Sequence, residues 1–246
     1  MDIYKEDGHR PLPLPPNNWI MRQAWRDVLF LHWPVQPEQL RPFIPSELEI
    51  DTYDGSAWIG IVAFAMEGIY FRGLSFFSVV TPFSEMNVRT YVKHKGKPGV
   101  FFISLDVNDW ASLNIAKRWY RLPYHSADIS IRPKGSTIYY ESIRKNQPVR
   151  FEGTCTAKQE EYFPVNGTLD HFLTEKYCFY TACDKINIFY GDIHHPPWPL
   201  QRADFQIQRN TLFSPLNLDF SDETPIVHFS KGVDSLMWNV KKLKKL

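Results

Sequence analysis

The sequence has few cysteines, almost no net charge and no long apolar run, and each of these absences excludes a class of protein. Its three cysteines, Cys155, Cys178 and Cys183, follow no CxxC or zinc-binding spacing, which argues against a disulfide framework and favours a reducing compartment. The 28 basic and 27 acidic residues leave a net charge of +1, so the broad basic surface of a nucleic-acid-binding protein is not expected. Neither a signal peptide nor an apolar run of membrane-spanning length is visible. We therefore expect a cytoplasmic protein that binds neither nucleic acid nor membrane.

Several catalytic signatures are absent as well. The sequence contains no glycine-rich phosphate loop, no GxSxG nucleophile elbow and no paired-carboxylate motif, and nothing in it demands a cofactor. His32 and the neighbouring pair His194 and His195 lack the i, i+4 or HxH spacing of metal ligands. We predict no metal site and expect these histidines to hydrogen-bond to the backbone.

The sequence is rich in aromatic residues and in chain breaks. Apolar residues make up 43% of the chain and aromatic residues 15%, while 12 glycines and 19 prolines recur at short intervals, as is typical of turns between strands. This pattern predicts a mainly β protein with a few helices (α+β), folded as a closed or nearly closed β-barrel. We divide the chain into a polar, proline-rich arm at residues 1–18, a single barrel domain at 19–240 and a basic end at 241–246.

Few helices are predicted. Polar capping residues and apolar spacing indicate a helix over residues 108–120 and a shorter one over 168–177, where Thr168 is the expected cap. Pro37 is placed to open a third, very short helix. The Asp54-Gly55 pair predicts a hairpin between the strands on either side of it.

The stretch from Phe83 to Asp106 carries the functional clue. It reads as a hairpin whose second strand, from Val100, is apolar at nearly every residue, as expected of a strand covered on both faces. Alternation on the first strand separates an apolar face from a polar one made of Asn87, Arg89, Tyr91 and Lys93. We expect this polar face to look into the protein, although alternation alone equally allows a solvated face.

Arg89 and Glu85 are the first candidates on that face. At the usual rise of a strand they are about 13 Å apart, so they cannot pair directly unless the chain bends. A buried guanidinium requires a partner, so an inward Arg89 would meet another carboxylate or bind an anionic ligand. Asn87, Tyr91 and, on an earlier strand, His32 are further candidates for ligand binding.

Several segments resemble, in this order and spacing, the bacterial YqjF-type family, a domain of unknown function. They lie at residues 25–35, 85–92, 99–106, 122–127, 172–177 and 194–200. The resemblance extends over about residues 20–240 and implies a fold similar to that of acetoacetate decarboxylase, a barrel-like domain around an internal cavity. It implies no activity.

The more distant similarity to acetoacetate decarboxylase implies candidate catalytic residues. Glu85 matches a carboxylate ahead of a long strand, and the segment 123–127 (PYHSA) resembles the Pro-Lys-Lys-x-Ala segment that bears that enzyme's imine-forming lysine. Tyr124 then stands in place of the lysine, and His125 in place of its cationic neighbour. Because neither a phenol nor an imidazole can form an imine, the resemblance implies a cavity without the Schiff-base lysine.

Tyr124 and His125 have distinct chemistry. A tyrosine hydroxyl can orient a carbonyl or an oxyanion, and a histidine can act as an acid or base near neutral pH. Since adjacent residues on a strand face opposite sides, only one of them can line the cavity, and we expect it to be Tyr124.

Together these features predict a cavity that binds a small, partly apolar organic acid or carbonyl compound. Arg89 would neutralise the acid, and Glu85 and Tyr124 would hydrogen-bond to the ligand. Whether a reaction follows stays open: acid–base chemistry by Glu85, Tyr124 or His125 is one reading, and a non-catalytic ligand-binding or sensing module is the alternative. A third reading places the polar strand in the subunit interface of a homo-oligomer.

Overall fold

The computed structural model describes residues 3, 7–73, 81–108, 122–182 and 187–243. Within them, 13 strands join into one sheet. In chain order the strands are β1 (Met21–Val35), β2 (Glu49–Ile50), β3 (Ala57–Phe71), β4 (Phe83–His94), β5 (Lys97–Val107), β6 (Tyr124–Lys134), β7 (Thr137–Arg144), β8 (Arg150–Tyr162), β9 (Cys178–Ala182), β10 (Ile188–His194), β11 (Leu200–Asn210), β12 (Ile226–Met237) and β13 (Lys241–Lys242).

The described helices are short. Helix α1 (Pro37–Leu40) begins at a proline, as predicted, and runs into a 3-10 turn at Arg41–Phe43. Helix α2 (Leu169–Thr174) is capped by Thr168, whose hydroxyl accepts a hydrogen bond from the backbone of His171. The helix predicted over residues 108–120 lies outside the described residues, apart from Asn108.

The strands close into a ring. Following the hydrogen bonds through β5, β6, β7, β8, β11, β12, β1, β3 and β4 leads back to β5, so a ring of 9 strands is nearly closed. The pairing of β5 with β6 is parallel, whereas the hairpins around the ring are antiparallel. The predicted mainly β, nearly closed architecture is therefore confirmed.

Strand β1 shows how the ring is packed on both of its faces. Leu29, Leu31 and Trp33 belong to one buried apolar cluster, while the intervening Val28 and Phe30 belong to a second. Because successive side chains on a strand point to opposite faces, β1 is covered on both sides. The first cluster includes Tyr140 of β7 and Phe151 of β8, so it fills the ring of 9 strands. The second cluster lies on the other face of β1, against β9 and β10, and the cavity lies on that side.

The central hairpin forms as predicted. Strands β4 and β5 pair from Glu85 opposite Val107 to His94 opposite Lys97, with a bulge between Val88 and Arg89, and β5 begins three residues before the predicted Val100. Lys95 and Gly96 form the turn with φ of 50° and 76°, the left-handed conformation that suits a two-residue hairpin loop. The hairpin fixes which residues of β4 point inward.

The hairpin predicted around Asp54-Gly55 is only partly correct. The turn exists, with positive φ at both residues and a bridge between Tyr53 and Ser56. However, β2 pairs with β4 and not with β3. This distant pairing is stabilised by an ion pair that joins Asp51 to Lys93 at 2.6 Å, a contact that local turn chemistry could not reveal.

Candidate ligand-binding cavity

A cavity of about 140 Å³ lies on the outer face of this ring, enclosed by β1, β3, β4 and β5 on one side and by β9, β10 and the end of β12 on the other. Its wall is mostly apolar and aromatic, with contributions from β1, β3, β4 and β5 and from the segments around residues 174–179 and 193–198. The polar residues among the described lining are few: Gln23, Glu85, Asn87, Arg89, Tyr124, Thr174, Lys176 and His195. An apolar cavity with a few convergent polar groups is the usual form of a small-molecule site.

The polar face of β4 forms part of this wall. Glu85, Asn87 and Arg89 alternate along the strand and all line the cavity. Glu85 and Asn87 are 5% and 2% exposed, and the Asn87 amide donates a hydrogen bond to the Glu85 carboxyl at 3.2 Å. The structure therefore places this face inside the protein and not in solvent.

Arg89 is held by weak contacts. Its Nη2 donates to the carbonyl oxygen of Leu173 at 3.3 Å, and its guanidinium carbon lies 5.5 Å from the ring centre of Phe30 and 5.8 Å from that of Tyr91. Among the residues that the structure describes, Arg89 Nε is buried without a hydrogen-bond partner, and no carboxylate forms an ion pair with this side chain. The guanidinium therefore retains unused hydrogen-bonding capacity at the cavity wall.

Glu85 is a buried carboxyl group that is partly protonated near neutral pH. Burial raises its pKa to about 7, with a hydrogen bond from Asn87 opposing the shift and the charge of Asp106 adding to it. Near neutral pH the group is present both as an acid, which can donate a hydrogen bond, and as a carboxylate, which can only accept one.

The side chains of Tyr124 and His125 lie on opposite faces of the sheet, as those of adjacent strand residues should. Tyr124 lines the cavity, whereas His125 is absent from the lining that the structure describes. His125 lies opposite Asp106 in the pairing of β5 with β6, on the other face of the sheet. The structure therefore does not bring His125 to the cavity, and the catalytic role predicted for it has no support from its position.

Tyr91 and His32 form a buried layer behind Arg89. The Tyr91 hydroxyl donates to the Leu173 carbonyl oxygen at 2.6 Å and bonds to His32 Nε2 at 2.7 Å. Because a hydroxyl has one proton to donate, His32 Nε2 is the donor in the second bond. Burial, reinforced by the charge of Arg89, lowers the pKa of His32 well below its usual value. Both residues are buried, and neither belongs to the described cavity wall, so they support the site without touching its contents.

Lys176 is a cavity-lining residue that the sequence analysis does not predict. It lines the cavity, its side chain is 8% exposed, and its Nζ lies 4.2 Å from the ring centre of Phe172. Burial lowers its pKa to about 8; Asp51 opposes the shift, and Lys93 and Arg89 add to it. A lysine thus belongs to the described lining, while its Nζ lies against Asp51, Phe172 and Tyr91, which do not. The segment 172–177 could have pointed to Lys176, because it is one of the segments that resemble the family. The sequence pattern there predicts only a helix.

Aromatic rings from a distant part of the chain complete the wall. Trp25 stacks on Trp198 with ring centres 5.8 Å apart, and His195 packs 5.1 Å from the Trp198 ring. Burial lowers the pKa of His195 to about 4, so this ring is neutral at physiological pH. Among the described residues, Trp25 Nε1 is buried without a hydrogen-bond partner. Trp198 belongs to the second buried cluster and also lines the cavity, a position that the sequence does not predict.

The neighbouring histidines bond to the backbone. His194 Nε2 contacts the carbonyl oxygen of Ile3 at 2.7 Å, and His195 Nδ1 contacts that of Pro196 at 2.7 Å. No group of three metal-ligating side chains converges within the described ranges. In the same ranges, no helix has the length and apolar character needed to cross a membrane.

Sequence comparison connects the chain to a family. The model of DUF2071, described as an uncharacterised conserved protein, matches residues 22–234. The uncharacterised protein YqjF of Bacillus subtilis is 38% identical over 232 residues, which cover 94% of this chain and 96% of the relative.

Structural comparison identifies the fold. Acetoacetate decarboxylase from Legionella pneumophila superposes with a TM-score of 0.65 at 14% identity, covering 97% of this chain and 94% of that one. An acetoacetate-decarboxylase-like enzyme from Sphingomonas wittichii gives 0.66 at 13% identity, covering 97% and 98% of the two chains. The enduracididine biosynthesis enzyme MppR, solved with pyruvate, gives 0.67 at 13% identity, covering 97% and 95%. At such low identity the likeness shows a shared fold, and the acetoacetate-decarboxylase-like architecture is confirmed.

Proposed function

The chain belongs to the DUF2071 family, and we propose that it binds a small organic acid or carbonyl compound in the cavity between β1, β3, β4 and β5 and the strands β9 and β10. Arg89 neutralises the acid group, while Glu85 and Tyr124 hydrogen-bond to the ligand. Binding of this kind does not require turnover. A non-catalytic sensing module would use the same contacts as an enzyme that performs acid–base chemistry on a carbonyl.

One observation carries the proposal: buried polar atoms at the cavity wall lack partners. Within the described residues, Arg89 Nε, Trp25 Nε1 and Asn87 Oδ1 make no hydrogen bond, and all three side chains line the same cavity. A buried polar atom without a partner costs about 1–3 kcal/mol, so three in one apolar wall are best explained by a ligand that supplies the missing bonds. Two of these atoms are donors, which suits an acceptor-rich ligand such as a carboxylate.

The charges at the wall also favour an acid. The basic groups lining the cavity are Arg89 and Lys176, and Glu85 is the one carboxyl group in the described lining. Because burial raises the pKa of Glu85 to about 7, it offsets only part of this positive charge near neutral pH. An anionic ligand therefore gains attraction in a cavity of low polarity.

The volume of the cavity sets the size of the ligand. A single water needs roughly 10–15 Å³ of such space, so a cavity of about 140 Å³ suits a molecule of several heavy atoms. The structural neighbour MppR has been solved with pyruvate and with the condensation product of pyruvate and imidazole 4-carboxaldehyde. Pyruvate is therefore the first probe we choose.

The test is calorimetric titration with pyruvate and acetoacetate on the intact chain and on Arg89→Met. Charge-assisted hydrogen bonds contribute about 1.5–3 kcal/mol, so we expect the affinity of Arg89→Met to fall by roughly tenfold or more. Arg132→Met, which removes an exposed arginine, is the matched control and should bind as the unaltered chain does. Equal binding by both variants, or no binding by the unaltered chain, would overturn the proposal.

A further inference from the structure

We propose that the ligand of this cavity is a monocarboxylic acid with a long apolar body, such as a medium-chain fatty acid, and that this body packs against β1 and β3 on the side of Glu85 away from Arg89. The inference rests on the proposed function and deepens it, because it names the class of acid and the part of the wall that selects it.

The polar and apolar parts of the wall lie at different positions along the strands. On β4, the cavity-facing side chains run from Arg89 through Glu85 to Phe83, a distance of about 20 Å at the usual rise of a strand. The register places Phe83 opposite Met66 on β3, and Met66 opposite Trp25 on β1. The wall therefore changes from charged to apolar with distance from Arg89, which suits a ligand with one polar and one apolar end.

The apolar part of the wall retains exposed surface in the cavity. Several of its side chains belong to the second buried cluster and line the cavity, yet each is 7–8% exposed: Met21, Phe64, Met66, Ile193 and Met237. Methionine side chains are flexible and polarisable, so they adapt to apolar partners of varied shape. This surface can therefore be buried by the apolar body of a ligand.

Water is a poor occupant of this apolar part. A buried water needs about two to four polar partners, and within the described ranges Trp25 Nε1 is the one buried atom there that lacks a hydrogen-bond partner. Gln23 Nε2 already donates to the sulfur of Met237 at 2.8 Å, and His195 Nδ1 already contacts the carbonyl oxygen of Pro196 at 2.7 Å. An occupant with few polar atoms therefore suits this part better than water does.

The volume of the cavity fits an acid longer than pyruvate. At roughly 10–15 Å³ for each water, a cavity of about 140 Å³ holds on the order of ten water-sized positions. Pyruvate bound at Arg89 would fill only part of this space. An acid of the size of octanoate would also reach the apolar part of the wall.

A second charged end on the ligand is disfavoured. The basic groups of the described lining are Arg89 and Lys176, and the Nζ of Lys176 lies against Asp51 and Phe172. Glu85 in its ionised form would repel a second carboxylate, and an unpaired charge is costly to bury in an apolar wall. The site should therefore prefer a monocarboxylic acid to a dicarboxylic acid of the same length.

Calorimetric titration of the intact chain with butyrate, hexanoate and octanoate tests the inference. Burial of one methylene group raises affinity about fourfold, so octanoate should bind on the order of a hundredfold more tightly than butyrate. The heat-capacity change of binding should become more negative along the series, because each longer acid buries more apolar surface. Octanedioate, which has the same length and a second carboxylate, is the matched control and should bind roughly tenfold or more weakly than octanoate.

Met66→Trp tests where the apolar body lies. The larger side chain takes up space opposite Phe83, so octanoate should lose roughly tenfold or more in affinity. Butyrate, which reaches little beyond Arg89, should bind as it does to the unaltered chain and thereby shows that the variant is folded. Met66→Leu, which keeps a similar volume, is the control and should bind both acids as the unaltered chain does.

The outcomes separate this inference from the proposed function. If butyrate and octanoate bind equally, or octanedioate binds as octanoate does, while Arg89→Met weakens the binding of pyruvate, the apolar body is refuted and the proposed function stands. If affinity rises with chain length but is the same in Arg89→Met, the acid group is not held at Arg89 and both proposals fail. Both also fail if no acid binds. Because the series uses the unaltered chain, the result does not depend on whether Met66→Trp folds.

Discussion

Two arginines, the buried Arg144 on β7 and the half-buried Arg89 on β4, have opposite surroundings. Arg144 donates to Asp106 at 2.7 Å, to Ser104 at 2.9 Å and to Gln147 at 3.1 Å. Asp106 also accepts a hydrogen bond from Ser142 at 2.9 Å. Arg89 instead has one long bond to a backbone carbonyl, a side-chain contact with the Tyr91 hydroxyl, and an unpaired Nε among the described residues.

The contrast distinguishes a structural charge from a binding charge. Buried ions are tolerated when their hydrogen bonds are satisfied, because removal from water costs several kcal/mol for each ion. The network of Arg144 meets this condition within the protein. The contacts of Arg89 do not, so part of its hydrogen-bonding capacity is unused, as the proposed binding of an acid requires.

A substitution that breaks the hydrogen-bond network of Arg144 should have the largest effect on the free energy of unfolding. Asp106→Ala removes the carboxylate from a buried guanidinium, and leaving such a charge unpaired costs about 3–5 kcal/mol. We expect the free energy of unfolding, measured by urea titration, to fall by that amount. Asp128→Ala, which removes the exposed partner of Lys145, is the control and should cost less than about 1 kcal/mol. Similar losses in the two variants would remove the distinction between a structural and a surface pair.

The ionisation of Glu85, in the cavity wall, should make the stability of the fold depend on pH. Its pKa rises from 4.5 in the unfolded chain to about 7 in the fold, so between these values the folded chain binds more protons. The contribution of Glu85 to the free energy of unfolding is therefore greatest below pH 4.5 and is lost as the pH rises through 7. The loss is on the order of 3 kcal/mol.

The measurement is the free energy of unfolding from pH 4 to 8 for the unaltered chain and for Glu85→Gln. Glutamine keeps the shape of the side chain and does not titrate. We expect Glu85→Gln to become more stable relative to the unaltered chain as the pH rises across this window. Parallel curves would show that Glu85 ionises in the fold as it does in water.

The smallest effect is expected at Tyr124. Tyr124→Phe removes one hydroxyl from the cavity wall, and a single neutral hydrogen bond contributes about 1 kcal/mol. We expect roughly a fivefold loss of pyruvate affinity in calorimetry. Tyr139→Phe, at a tyrosine outside the described lining, should leave the affinity unchanged. A loss at Tyr124 as large as that at Arg89 would mean that the hydroxyl, and not the guanidinium, dominates binding.

Local patterns were sufficient to predict much of the fold and part of the site. The alternation along β4 predicts that Glu85, Asn87 and Arg89 share a face, and the apolar β5 beside it indicates that this face is internal. The opposite orientations of Tyr124 and His125 follow from the same geometry. Each of these predictions depends only on the two-residue period of a strand.

The remaining parts of the site depend on contacts between distant segments. Lys176 follows the end of α2, where no periodic pattern specifies the direction of a side chain. Its partner Asp51 lies next to β2, whose pairing with β4 was not predictable from the turn at Asp54. Trp198 reaches the cavity from a proline-rich segment. Such placements are set by the packing of β9, β10 and their flanking segments against the outer face of the ring, and they have no local signature in the sequence.

The most direct test of the account compares the stability of Arg89→Met and Arg144→Met in urea. Methionine fills the same apolar space without charge, so it removes each guanidinium without opening a large cavity. We predict that Arg144→Met loses about 3 kcal/mol or more, because Asp106 is left unpaired, while Arg89→Met is as stable as the unaltered chain or more so. An equal loss in the two variants would show that Arg89 is a structural residue and would contradict the assignment of this cavity to an acidic ligand.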